Sequence, residues 1–150
     1  MTVAVLRADD WELKRDLRLR ALRESPAAFG STYERERHYT EADWRDWPRD
    51  GTFFAAGGHS IACGWLPVAE PDVANLISMW VAPEHRGQRV AAALIDAVVE
   101  WARTQDRDHL ELEVAAGNEA ARKAYVRYGF EATDREPFTP GGTVYALKLR

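Results

Sequence analysis

Met79-Trp80-Val81-Ala82-Pro83-Glu84-His85-Arg86-Gly87-Gln88-Arg89-Val90-Ala91 reads as the end of an apolar strand, a proline-broken turn and the start of a helix. The first backbone N–H groups of a helix point outward without partners. With the helix dipole they form a site for an anion such as a pyrophosphate. Close approach of phosphates to backbone demands small residues, and Gly87 and Ala91 supply them. Arg86 and Arg89 add cationic side chains to a chain whose formal net charge is -4. One glycine in a turn is equally compatible with an ordinary strand–turn–helix bearing two solvated arginines.

Outward from this turn the elements alternate between the strand and helix periods. Val3 to Leu6 forms a short first strand, and Asp9 with Glu12 makes an acidic capping box for a helix. Leu13, Leu17 and Ala21 give that helix its apolar spacing, and Glu24-Ser25-Pro26 ends it. Ala27 to Tyr39 fits neither period, while Thr40 with Asp43 starts another helix that stops near Pro48. Phe53 to Ala56 and Ser60 to Val68 form a hairpin about Gly57-Gly58. Asn75 to Val81 is the strand that enters the turn, and Gly87 to Thr104 is the helix that leaves it. Its buried stripe is Ala91, Leu94, Ile95, Val98 and Ala102. Leu110, Leu112 and Val114 alternate with Glu111 and Glu113 on a strand with one polar face. Asn118 to Tyr128 is a helix capped by Gly129, and Thr143 to Leu149 is a last strand. This alternation predicts an α/β fold, a mixed sheet with helices on both faces, in one domain over residues 1–150.

Composition narrows the function. With 46% hydrophobic and 29% charged residues, the 150-residue chain is a globular domain. Its negative charge and lack of a basic stripe argue against nucleic acid. The single cysteine, Cys63, excludes an intrachain disulfide, and no apolar run is long enough to span a membrane. His38, His59, His85 and His109 lie too far apart for metal-ligand spacing, so no metal is expected. A cytoplasmic location is the expectation.

A second stretch, Asn118-Glu119-Ala120-Ala121-Arg122-Lys123-Ala124-Tyr125-Val126-Arg127-Tyr128-Gly129-Phe130, joins the first. Together they resemble the two signatures of the GCN5-related N-acetyltransferases. The first signature is Gln/Arg-x-x-Gly-x-Gly/Ala. Arg86 fills its first position and Ala91 its last, while Arg89 departs from the inner glycine. The second is Asn-x-x-Ala, then Tyr, then Gly-Phe, and Tyr125 has the family spacing from Asn118.

The resemblance implies a mostly antiparallel sheet that splays beside the first signature. It also implies acetyl-CoA as co-substrate. The backbone of Met79, Trp80 and Val81 would pair with the pantetheine arm. Arg86, Gly87, Gln88, Arg89, Val90, Ala91 and Ala92 would hold the pyrophosphate, and Asn118 would touch the cofactor besides capping its helix. Tyr125 is the implied acid for the departing thiolate, with Tyr128 as its competitor. Glu113 is the candidate base, with Glu111 beside it and Glu24 and Glu34 as alternatives. The acceptor groove falls at the connection after the first helix, where Phe29 and Tyr33 are candidate wall residues, and at Phe138 to Gly142. The expected reaction is acetyl transfer to a primary amine of a small molecule. A protein or peptide acceptor and a non-catalytic acyl-CoA-binding module are the alternatives. Family members are often dimers, and Trp44, Trp47 and Trp65 are candidates for either an interface or the core.

Overall fold

The structure is a computed structural model that describes residues 2–150. Seven strands form one sheet: β1 (Val3–Leu6), β2 (Gly51–Ala56), β3 (Ser60–Trp65), β4 (Val73–Trp80), β5 (His109–Val114), β6 (Glu131–Ala132) and β7 (Thr143–Lys148). Their spatial order is β1-β2-β3-β4-β5-β7-β6, antiparallel throughout except for the parallel pair β4–β5. A parallel pair needs a crossover, and α4 (Val90–Thr104) supplies it.

Two apolar cores lie on opposite faces of the sheet. On one, Val90, Leu94, Ile95, Val98 and Ala102 of α4 pack with Phe54, Leu76, Leu110, Leu112 and Tyr145. Tyr125 and Phe130, in and after α5 (Glu119–Tyr128), join that core. Gly64 of β3 lies beneath the Trp101 indole of α4, which a Cβ there would strike. On the other face, Leu17 and Ala21 of α1 (Trp11–Glu24) pack with Phe53, Ala55, Ile61, Cys63 and Trp80. The expected mixed sheet with helices on both faces is therefore present.

The differences from the sequence reading are local. Asp9 does not cap the first helix. A 3₁₀ turn at Ala8–Asp10 precedes it, Asp10 accepts from the Arg7 backbone N–H at 2.8 Å, and α1 begins at Trp11. Asp9 instead pairs with Arg45 at 3.0 Å. Leu13 is 39% exposed, because the buried stripe is Lys14, Leu17, Arg18, Ala21 and Leu22. The unassigned stretch holds a single helical turn, α2 (Tyr33–Glu36), capped by Thr32. Thr40 and Asp43 do form the capping box of α3 (Glu41–Asp46), with bonds of 3.2 and 2.8 Å. Of the two alternatives left open for Trp44, core or interface, it takes the core, with its ring tilted against Tyr39 at 5.3 Å. The crossover helix starts at Val90 rather than Gly87. Gly87 and Arg89 both have left-handed backbones, at φ +81° and +63°, which no helix can contain. Among the described residues no helix is long and apolar enough to cross a membrane.

Candidate active site

β4 and β5 pair only at Val73↔His109, Ala74↔Leu110 and Asn75↔Glu111. Beyond that point β4 runs on to Trp80 and β5 to Val114 without hydrogen bonding to each other. The sheet opens there as a V, leaving one edge of β4 as an unpaired row of peptide groups. Such a row is a template for another extended chain.

A bulge lies on the same stretch. β3 pairs with β4 at Cys63↔Ile77 and again at Ile61↔Trp80, so β4 carries one extra residue. Ser78, within the bulge, has a left-handed backbone, φ +57°. The bulge also shifts the alternation of faces. Leu76 and Met79 pack on the α4 side, whereas Ile77 and Trp80 pack on the α1 side. Trp80 is thereby buried, and its indole N–H donates to Glu24 at 2.7 Å. Its side chain is structural, as a core aromatic would be, and its backbone lies on the V.

The turn after β4 ends in the free start of α4. Arg89 is the N-cap and provides no side-chain hydrogen bond. The first helical bond runs from Ala93 N–H to the Arg89 carbonyl at 3.2 Å, so the N–H groups of Val90, Ala91 and Ala92 precede the helical ladder. Gly87, Gln88 and Arg89 are exposed around them. The N–H groups of Val90, Ala91 and Ala92 thus have no acceptor within the helix. The Arg86 side chain turns back onto the strand and α1. Its Nε donates to the Val81 carbonyl at 3.0 Å and its Nη2 to Glu24 at 3.2 Å, so its side chain braces the turn from behind.

Across the V, α5 begins at Asn118, whose side chain accepts from Ala121 N–H at 3.3 Å. Its cap role is present. Tyr125 is buried, with its ring edge against Phe130 at 5.7 Å, in the same core that Val114 and Met79 join. Burial is the one cause that pushes its pKa up; no hydrogen-bond partner contributes. Tyr128 is committed elsewhere, donating to Asp96 of α4 at 2.5 Å. Burial and that carboxylate raise its pKa as well. Of the two phenols, Tyr125 is the one that no side chain among the described residues holds.

Glu113 and Glu111 share a sheet face, as their alternation predicts. Glu113 is nevertheless already engaged. Its carboxylate accepts from the Phe138 N–H, from the Thr139 N–H at 3.1 Å and from the Thr139 hydroxyl. Gly142 closes this turn, donating to the Thr139 carbonyl at 3.1 Å, and a Cβ there would come within 3.2 Å of Glu113. The carboxylate thus holds the β6–β7 loop in place, with Phe138 at its tip 85% exposed. The carboxylate oxygens are occupied by these three donors. Glu111 is buried, 3.3 Å from Arg135, and burial raises its pKa. It lines a cavity of about 560 Å³ with Glu70, Asp72, Asp108, His109 and Arg135 on the helix-free face of β5 and β7.

The remaining acids divide by position. Glu24, at the end of α1, accepts from the hydroxyl of Ser25, from Trp80 and from Arg86, which together hold its pKa down. Glu34 is exposed and pairs with Arg37 at 3.1 Å. Phe29 and Tyr33 lie near one another in chain but serve different arginines. Arg18 lies over the Phe29 ring at 4.9 Å, and Arg23 over the Tyr33 ring at 4.5 Å. His59 and His85 stack face to face at 3.6 Å beside the turn, and burial with the second ring lowers the pKa of His59.

Sequence reasoning missed one cluster entirely. Arg18 forms a two-pronged ion pair with Glu36, at 2.9 and 3.0 Å, and both are buried. Its third nitrogen donates to the Ser78 hydroxyl at 2.7 Å. The available signal was the presence of Lys14 and Arg18 on the apolar stripe of α1, which places cations where only paired ones are tolerated.

Comparison with known proteins gives consistent matches. A family model described as the Acetyltransferase (GNAT) family matches residues 17–130. An uncharacterized N-acetyltransferase of Methanocaldococcus jannaschii is 28% identical over 109 residues, which is 63% of this chain and 48% of that protein. A Bacillus subtilis protein named as a putative ribosomal-protein-bS18-alanine N-acetyltransferase is 30% identical over 70 residues, 46% of this chain and 44% of its own length. The chain spans about half, or less, of the length of these relatives. Among solved structures, the GNAT domain of S. lividans PAT superposes with a TM-score of 0.74 at 20% identity, covering 97% of this chain and 89% of that one.

Proposed function

Since the chain belongs to the GNAT acetyltransferase family, we propose that it transfers the acetyl group of acetyl-CoA to a primary amine. The observation that carries this reading is the V between β4 and β5. Its β4 edge leads directly into the uncapped start of α4, and Tyr125, a phenol with no side-chain partner among the described residues, packs in the core that Met79 of β4 joins. The edge suits an extended pantetheine arm through the backbone of Met79, Trp80 and Val81. The N–H groups of Val90, Ala91 and Ala92 suit the pyrophosphate, with Gly87, Gln88 and Arg89 around it.

Transfer to an amine forms a C–N bond and breaks the C–S bond, in one direct attack. The amine must first be neutral, and the leaving thiolate takes a proton. Tyr125 is the proposed donor of that proton. Burial raises its pKa, so the phenol enters the reaction protonated, and donation requires the thiolate to develop next to its hydroxyl. Asn118 holds the start of α5, and so the register of Tyr125 along it. Glu113, whose carboxylate is occupied by the β6–β7 loop, is proposed to shape the acceptor wall instead of removing the amine proton. Glu24, which already accepts from Ser25, Trp80 and Arg86, is not proposed as the base, and the amine proton is taken up by water. Phe29, Tyr33 and Phe138 favour an amine carried on an apolar scaffold, and so a small molecule. A peptide α-amino group is the second reading, favoured by the likeness to the bS18-alanine relative.

The test is a thiol-release assay with acetyl-CoA and a panel of small primary amines and alanine-terminated peptides. Release above the hydrolytic background with one acceptor is the expected result. No binding of acetyl-CoA by calorimetry would refute the reading. Tight binding with no turnover on any amine or peptide would favour a non-catalytic acyl-CoA module.

A further inference from the structure

We infer that Arg18 and Glu36 are positioning residues for acetyl transfer, acting through the Ser78 hydroxyl to fix the β4 bulge at the thioester end of the site. This rests on the reading of the V as the acetyl-CoA site.

Three elements meet at one guanidinium. Arg18 comes from α1, Glu36 from α2 and Ser78 from β4, 18 and 60 residues apart in sequence. Arg18 is 5% exposed and Glu36 1%. The guanidinium lies between two rings, 4.9 Å from Phe29 and 4.7 Å from Trp47. Its donors are used in a fixed fork: Nε and Nη2 to the Glu36 carboxylate, Nη1 to Ser78 at 2.7 Å. A lysine could not hold this planar geometry.

Stability alone is a poor account of the cluster. Burying an ion pair costs desolvation that its attraction seldom exceeds, and apolar residues of the same volume serve as well or better. The third contact is the informative one. It goes to a non-glycine residue with a left-handed backbone in the middle of a strand. Strained backbone of this kind persists only where its surroundings hold it, and it concentrates at functional sites.

The bulge also lies where β4 has lost β5 as a partner and is out of step with β3. Ser78 and Met79 fall between the Cys63↔Ile77 and Ile61↔Trp80 pairs, so these two residues have no register partner on β3 and none on β5. The Ser78 side chain is the remaining handle, and Arg18 holds it. Because Glu36 sits on the acceptor-side connection, the same fork links the acceptor wall to the acetyl strand. Misplacing a reacting group by about 1 Å can cost on the order of a hundredfold in rate.

Substituting Arg18 would strand a buried Glu36 carboxylate and confuse folding with function, so the test is made at Ser78. Ser78→Ala removes the acceptor for Arg18. Ser78→Asn restores a side-chain oxygen on a residue that tolerates the left-handed backbone. The readouts are the melting temperature, acetyl-CoA affinity by calorimetry, kcat in the thiol-release assay, and the infrared C=O stretch of bound carbonyl-labelled acetyl-CoA. Ser78→Ala is expected to lower kcat by about tenfold to a hundredfold. Affinity should stay within about threefold, as for an interaction made chiefly in the transition state. The bound C=O band should shift toward its free position, and Ser78→Asn should recover much of both signals. Wild-type kcat and an unmoved C=O band in Ser78→Ala would overturn the inference while leaving the acetyl-CoA site intact. A kcat loss matched by lost affinity and lost folding, without rescue by Ser78→Asn, would reduce the cluster to scaffolding and overturn it too. Failure of the unaltered chain to bind acetyl-CoA would overturn the functional reading first and this inference with it.

Discussion

Arg89→Gly separates two properties that one residue combines. Arg89 caps α4 with φ +63° and ψ +20°, a left-handed backbone, and its side chain makes no capping hydrogen bond. The left-handed conformation costs an L-residue roughly 1–2 kcal/mol. Glycine removes that strain but returns about 0.5–1 kcal/mol through the greater freedom of the unfolded chain. It is also an acceptable N-cap. The net expectation is a gain of about 0.5–1 kcal/mol, or roughly 1–4 °C in Tm for a chain of this size. Binding should move the opposite way. An exposed charge about 4 Å from an anion contributes about 1 kcal/mol in water, so acetyl-CoA affinity should fall about fivefold at low salt. Near 1 M salt, where the screening length is about 3 Å, the two proteins should bind alike. Thermal unfolding and calorimetry across a salt series measure both. A lower Tm would refute the strain assignment, and an affinity loss insensitive to salt would refute the electrostatic one.

Tyr125→Phe should slow thiol release by about a hundredfold or more, the scale of a lost general acid, with acetyl-CoA affinity nearly intact. Its Tm should barely move, because no hydrogen-bond partner contributes to the state of that phenol; an unchanged rate would remove Tyr125 from the chemistry. Glu113→Ala frees the Phe138 and Thr139 N–H groups and should loosen the β6–β7 loop. The acceptor KM should then rise several-fold with the acidic limb of the pH–rate profile unmoved, on the scale of one lost positioning contact; disappearance of that limb would restore Glu113 as the base. His59 has a pKa below the ordinary histidine value because burial, then the His85 ring, disfavours its charged form. Its folded state therefore binds fewer protons than the unfolded chain between that lowered value and about 6.5, and stability should fall as pH falls through this window. His59→Gln should flatten the fall in Tm, and an identical pH profile would show that other groups cause it.

The elements were legible because their patterns are local. The Thr40–Asp43 box, the Asn118 cap and the Gly129 terminus each depend on residues within one turn. The two faces of β5 follow from alternation alone. What alternation cannot supply is the partner of a side chain once its face is known. The face of Glu113 follows from alternation, yet its hydrogen-bond partners come from a loop 25 residues further on. Asp9 shows the limit at finer grain: the neighbouring Asp10 bonds to Arg7, and the helix starts one step later than the box requires. The Trp44 pattern reads equally well as surface or core, and the choice is made by its tilted packing against the Tyr39 and Trp47 rings.

The signature turn itself is shaped from outside its own sequence. Its arginine at position 86 lies behind the turn, bound to Val81 and to Glu24 of α1. Glu84, in the same turn, is gripped by Arg20 of α1 at 2.7 and 2.9 Å, and the Arg20 guanidinium lies over Trp80 at 5.2 Å. With Arg18 on Ser78, one helix reaches the strand, the bulge and the turn in three places. The exposed pair Arg20–Glu84 contributes little to stability by itself. A charge reversal across it, Arg20→Glu with Glu84→Arg, should therefore leave Tm almost unchanged while preserving the geometry of the turn. Arg20→Glu alone sets two carboxylates against each other beside the start of α4 and should weaken acetyl-CoA binding. Recovery of affinity in the double variant would locate the effect in that pair, since a contribution from the acidic side chain to the anion site itself would persist. If the single variant binds acetyl-CoA normally, α1 does not govern the turn through Arg20, and its hold on the site reduces to Arg18 and Glu24.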